Sequence, residues 1–206
     1  MASIVVAGDT SGTVTLAAPA TAGTTTLTLP TANGTLITTG SSGQSIPKAA
    51  LPTGSVLQVV QTVKTDTFST SSSSYTDVTG LSVSITPTSA TSKILVLYSS
   101  TIGAPTGQYS AGLQLVRGST AIYLGDVRGV RTRASSWMWS EASQYAMIPV
   151  NGIFLDSPAT TSATTYKLQM ISPYAVQVEI NRNQIDGNNA VQGSIPSQIT
   201  VMEIAA

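Results

Sequence analysis

Apolar side chains in this chain recur at every second position, and no segment sustains the three-to-four spacing of a helix. The alternation runs through 56–63, 81–85, 93–98, 113–116, 166–171, 176–180 and 199–204, as in Leu81-Ser82-Val83-Ser84-Ile85 and Val176-Gln177-Val178-Glu179-Ile180. Successive side chains of a β-strand point to opposite faces, so each segment reads as a strand with one buried face. Short strands separated by turn residues predict an all-β antiparallel β-sandwich, a jelly roll. Asn33-Gly34, Asn151-Gly152 and Asp186-Gly187 are read as tight hairpin turns, because each pair supplies positive φ cheaply. Ser69 and residues 71–74 read as a polar loop.

A second pattern precedes these strands. Gly-Thr recurs at residues 12, 23 and 34, each time opening a short β-stretch, as in Gly23-Thr24-Thr25-Thr26-Leu27-Thr28-Leu29-Pro30. One copy has too little apolar surface to fold alone, so Leu16, Leu27, Leu29 and Leu36 must bury against other copies or other chains. Gly12, Gly23 and Gly34 open the copies, and Pro19 and Pro30 end the first two. We expect an N-terminal β-repeat attachment module over 1–43, a Gly/Ser/Pro linker over 44–53 and a head over 54–206.

Composition narrows the functions open to such a chain. Charged residues make up 9% of the 206 and the formal net charge is zero, so the basic footprint that nucleic-acid binding needs is missing. There is no cysteine and no histidine, which excludes disulfides, thiolate nucleophiles and every imidazole-based triad. No catalytic residue, cofactor or metal is expected. Nor is a membrane partner, because the longest strongly apolar run, at 94–98, is far shorter than the roughly twenty residues of a spanning helix. The first residues lack a positive segment and read as no secretory signal, so the Asn33-Gly34-Thr35 sequon has no route to glycosylation.

Three places could carry chemistry. Trp137 and Trp139, followed by Tyr145, fall on one side of a strand, where they fill the core or an intersubunit seam, or stack on sugar rings. Glu141 beside them would need a second carboxylate for glycoside hydrolysis, and none is identifiable. Arg128, Arg131 and Arg133 either make ion pairs within or between chains, or meet an anionic ligand in bidentate fashion. The segment 181–187 has Ile185 in the place of a calcium ligand and reads as a hairpin turn.

The block 12–39, with its Thr-Leu-Thr-Leu-Pro-Thr-Ala-Asn-Gly-Thr core, resembles a segment of tail-fibre-like and other virion proteins of tailed bacteriophages of marine and cyanobacterial hosts. Ile85-Thr86-Pro87-Thr88-Ser89-Ala90-Thr91-Ser92-Lys93-Ile94-Leu95-Val96, residues 155–166 and the closing Ile199-Thr200-Val201-Met202-Glu203-Ile204 resemble the trimeric jelly-roll heads of the same proteins. The resemblance implies a non-enzymatic homotrimer on the virion surface, assembled in the host cytoplasm, whose N-terminus seats on a capsid or tail protein. It leaves open whether the chain is a short head fibre or capsid decoration protein, a tail fibre that binds host surface glycan, or a polysaccharide depolymerase.

Overall fold

The computed structural model describes residues 3–7, 13–17, 51–103, 107–141 and 143–206. The chain divides into two units, Met1–Ser45 and Ile46–Ala206. In the first unit β1 (Ser3–Ala7) and β2 (Thr13–Ala17) pair antiparallel, with Ile4 opposite Leu16 and Val6 opposite Val14. β2 belongs to the first repeat copy, and its described partner is the segment that precedes the repeat. The other repeat positions, Gly12, Pro19, Gly23, Leu27, Leu29, Pro30, Gly34 and Leu36, lie outside the described residues, as do residues 44–50 of the expected linker.

The second unit is built from β3 (Val56–Lys64), β4 (Phe68–Thr70), β5 (Thr76–Ile85), β6 (Lys93–Gly103), β7 (Gln108–Arg117), β8 (Thr120–Ile122), β9 (Ser136–Glu141), β10 (Met147–Asp156), β11 (Thr164–Ile171), β12 (Val178–Ile180) and β13 (Ser197–Ile204). All pairings are antiparallel, and no helix occurs among the described residues. Several of these strands are halves of one longer row. Ile180 opposes Ile102 and Gln198 opposes Ser99, so β12 and β13 lie end to end along a single edge of β6. β4 and β3 continue the sheet beside them in the same way. In the other sheet β9 and β8 lie end to end along β7, with Leu113 opposite Ser136 and Leu115 opposite Ile122.

With each row counted as one strand, the sheets resolve into a familiar order. The first sheet runs β3/β4, β12/β13, β6, β10, and the second runs β5, β11, β7, β8/β9. In chain order these are rows 1-8-3-6 and 2-7-4-5, the two-sheet arrangement of a jelly roll.

Polar side chains close the two interruptions. At the first, buried Asn181 donates from Nδ2 to the carbonyls of Lys64 (2.9 Å) and Asp66 (2.8 Å) and accepts from Ser197 Oγ (2.5 Å). Its φ of 70° is one that Asn tolerates better than most residues. The segment 182–196 thus leaves and rejoins the same sheet edge, in the manner of an Ω-loop. At the second, Ser135 donates its N–H to Leu113 (2.8 Å), and its hydroxyl accepts from Leu115 N–H (2.9 Å) and donates to Ile122 (3.3 Å).

Two expected turns are therefore not hairpins. Asn151-Gly152 sits in the middle of β10, and Asp186-Gly187 lies inside the 182–196 excursion, where Asp186 adopts the left-handed conformation. The segment 181–187 opens that excursion instead of turning back. The serine run also moves: Ser69 is in β4, and the loop after it crosses from one sheet to the other.

The core lies between the sheets. β5, β7, β9 and β11 contribute Leu81, Val83, Leu115, Met138 and Leu168, and β6, β12 and β13 contribute Ile94, Val96, Ile180, Ile199 and Val201. Each fully buried aliphatic side chain of this kind contributes about 1.5–3 kcal/mol. A polar clamp joins the sheets as well. The buried carboxylate of Asp156 in β10 accepts two hydrogen bonds from Arg117 of β7 (2.8 and 2.9 Å) and one from the Tyr166 hydroxyl of β11 (2.7 Å).

Candidate functional site

The alternation of β9 fixes where the indoles go. Met138 and Ser140 point into the core at 3% and 1% exposure, and Trp137 and Trp139 therefore point outward, at 42% and 49%. At about 3.4 Å of rise per residue the two indoles stand roughly 7 Å apart along the strand. The reading that placed them in the core does not hold, since Met138 takes that place.

Trp137 lies flat over a glycine. Gly112 of β7 is its cross-strand partner, and a Cβ at that position would come within 2.6 Å of the indole ring. Tyr174, in the connection after β11, adds a third ring. It stands edge-on to Trp139, with centroids 6.3 Å apart, and to Tyr109, with centroids 5.6 Å apart. The rings border an open groove of about 490 Å³, within the usual range for ligand sites. Ser110, Thr132 and Arg131 complete its lining with Pro173.

Of the residues singled out from sequence, the groove unites Trp137, Trp139 and Arg131. Arg131 is exposed and forms no ion pair with a described side chain, and neither do Arg128 and Arg133. The expected ion pairing within the loop is therefore not found among the described residues. Arg133 instead donates from Nε to the Gly125 carbonyl (2.6 Å), and its own carbonyl accepts from Tyr75 Oη (2.7 Å), which braces the 123–135 segment. Tyr145 is exposed but does not line the groove. Sequence reading missed Tyr174, which stands alone in a loop with no periodic signal.

Asp66, Asp77, Asp156, Glu179, Asp186 and Glu203 are engaged elsewhere. Asp77 accepts from Lys167 (2.7 Å) and Gln169 (2.6 Å), and these bonds hold it below the usual carboxylate range. Burial pushes Glu203 up, but hydrogen bonds from Thr88, Gln58 and Ser92 outweigh burial and leave it below its ordinary value. Burial raises Glu179, which Gln177 and Arg182 only partly offset. No cluster of three or more metal-ligating side chains occurs among the described residues.

A second surface differs in kind. On the outer side of the first sheet the rows Val59–Met202–Leu95–Leu155, Gln61–Thr200–Leu97–Ile153 and Val63–Gln198–Ser99–Asn151 hold no charged residue, and the next row, Val56–Ile204–Lys93, holds one. Val59, Val63, Ile153 and Leu155 are each at least half exposed. An antiparallel sheet with one wet face normally carries polar residues there, so the patch of Val59, Met202, Leu95, Leu155, Leu97 and Ile153 has the composition of a covered surface.

No protein-family model matches the sequence, and a comparison with curated proteins finds no match. Among solved structures, the chain is similar to the tripod from the baseplate of bacteriophage Tuc2009, at 13% identity over 93% of this chain and 84% of that one, with a TM-score of 0.34. It is also similar to a chain of infectious bursal disease virus, Gx strain, at 13% identity and a TM-score of 0.39. There the alignment covers 78% of this chain and 47% of the other, so the chain spans about half the length of that protein. Both scores lie below the level at which two chains share a fold.

Proposed function

We propose that this chain is a non-enzymatic structural protein of a bacteriophage particle, a homotrimer whose N-terminal unit seats on the capsid or tail and whose jelly-roll head faces outward. The observation that carries the reading is the exposed apolar patch on the outer face of the first sheet. Burying the exposed remainder of Val59, Val63, Ile153, Leu155 and their neighbours is worth on the order of 5 kcal/mol per copy. That only matches the low end of the cost of association. When like chains converge the same face on one axis, every copy contributes the gain, and closed symmetry leaves no apolar face open.

The sequence resemblance supports the particle and the number three. The engagement of Asp66, Asp77, Asp156, Glu179, Asp186 and Glu203 with structural partners supports a protein without hydrolytic chemistry. A second reading, a tail fibre that recognises host surface glycan, is favoured by the aromatic groove alone.

Light scattering after size exclusion tests the assembly: the expected mass is three times 21.1 kDa, and a stable monomer at micromolar concentration overturns it. Gold-labelled antibody on purified particles tests the location, with label on the particle surface expected and bare particles refuting it.

A further inference from the structure

We propose that the groove formed by Trp137, Trp139 and Tyr174 binds an acidic saccharide, its sugar rings against the indoles and its carboxylate on Arg131. The inference deepens the glycan-recognition reading and does not depend on the particle or on the trimer.

The aromatic surface comes first. Large aromatic side chains left half exposed forgo burial that a core position would give them. Here the exposure is built in: Gly112 leaves room for Trp137 to lie against β7, and Tyr174 braces Trp139 edge-on. The result is a ridge of rings set at a strand's two-residue spacing, the shape that the flat C–H face of a pyranose fits. Ser110 and Thr132 bring hydroxyls to the same groove, which suits a ligand that carries both apolar faces and hydroxyl groups.

Charge then selects within that class. The Arg131 guanidinium has no acidic partner among the described residues, nor do those of Arg128 and Arg133, and of the three it is Arg131 that lines the groove. A planar guanidinium meets a carboxylate through two parallel hydrogen bonds. One such group in a chain of zero net charge is too little for a polyphosphate backbone. It is enough for a single sugar acid.

Binding is measured on the full chain by tryptophan fluorescence and calorimetry with two matched pairs: sialyllactose against lactose, and a galacturonic acid trisaccharide against its methyl ester. At least one acid should bind about tenfold more tightly than its neutral counterpart, and added salt should narrow that gap. Arg131→Ala should abolish the gap and leave neutral binding in place. Trp139→Ala should weaken both members of the pair about tenfold, with circular dichroism and assembly mass unchanged. Three results overturn the proposal: neither acid binds at millimolar concentration, the neutral member binds as tightly as the acid, or Trp139→Ala alters the assembly mass, which would mean that another copy covers the groove. Bare particles in the labelling experiment would refute the virion role and leave this result standing.

Discussion

Each sheet of the sandwich contains one cross-strand pair of a glycine with an aromatic ring, and the two pairs face opposite ways. In the first sheet Gly152 lies opposite Tyr98, whose ring covers it on the core side, and the Tyr98 hydroxyl bonds Ser136 of the other sheet at 2.6 Å. In the second sheet Gly112 lies opposite Trp137, whose ring covers it on the outer side. The same local device therefore serves packing in one place and display in the other. Their surroundings follow suit. The outer face of the second sheet is tied by Gln114, Gln169, Asp77 and Lys167, whereas on the outer face of the first Gln61 bonds Gln198 and Thr200 but Val59, Leu95, Leu97, Ile153 and Leu155 form an apolar patch beside them. A surface laced with hydrogen bonds is complete in one chain, and an apolar one is not.

The sharpest way to break this contrast is to charge both outer faces. Leu97→Lys with Ile153→Lys should convert the assembly to monomer by light scattering, while Ser84→Lys with Gln114→Lys on the second sheet should leave its mass unchanged. Equal effects from the two pairs would mean that the faces do not differ as described.

Filling the glycines comes next. Gly152→Ala forces a methyl group into the buried Tyr98 ring and should cost about 3 kcal/mol in urea unfolding. Gly112→Ala displaces a half-exposed indole that has room to swing outward, so about 1 kcal/mol is expected. Removing the Tyr166 hydroxyl, which serves both sheets through Asp156, should fall between them, with Tyr166→Phe costing about 2 kcal/mol.

The smallest effects concern pH. Glu203 is buried in the first sheet and Asp77 exposed on the second, and both carboxyls are held below their ordinary values. Each therefore contributes stability that is present above the unfolded value, about 4, and lost as pH falls through the lower folded value. Glu203→Gln should lower stability at pH 7 by about 1 kcal/mol and flatten the acid limb of the pH profile. Asp77→Asn should change it by only a few tenths of a kcal/mol, since solvent screens the exposed pair with Lys167. Glu179 has the opposite sign. Burial raises it, so its contribution weakens as pH rises from about 4 through the folded value, and Glu179→Gln should remove that decline.

Much of the fold was legible because strand alternation is local. Leu81-Ser82-Val83-Ser84-Ile85 reads directly as three inward and two outward side chains, and that is what β5 shows. That Trp137 and Trp139 share a face followed from the same parity, but which face did not, and it is the buried Met138 between them that shows both pointing outward. Lys93-Ile94-Leu95-Val96-Leu97-Tyr98 was not legible in this way, since both parities are apolar and either could face inward. Asn151-Gly152 misled for a related reason. The pair carries the same preference for positive φ in a strand as in a turn, and only the ring of Tyr98, far away in sequence, accounts for a glycine there. Tyr174 joined the groove through ring contacts with Tyr109 of β7 and Trp139 of β9 that no sequence pattern encodes.

The sequence by itself determined an all-β chain, the inward side of most strands, the shared face of the two indoles and the absence of imidazole and thiol chemistry. Only the tertiary structure decided that β12 with β13 and β8 with β9 are single rows, that those rows close a jelly roll, and that one outer face gathers an exposed apolar patch while another gathers three rings and an unpaired guanidinium. The reason is that side-chain parity is fixed by the backbone geometry of neighbouring residues. Row and register are set by pairing between residues distant in the chain, where Asn181, Ser197 and Ser135 hold together ends that the sequence places far apart.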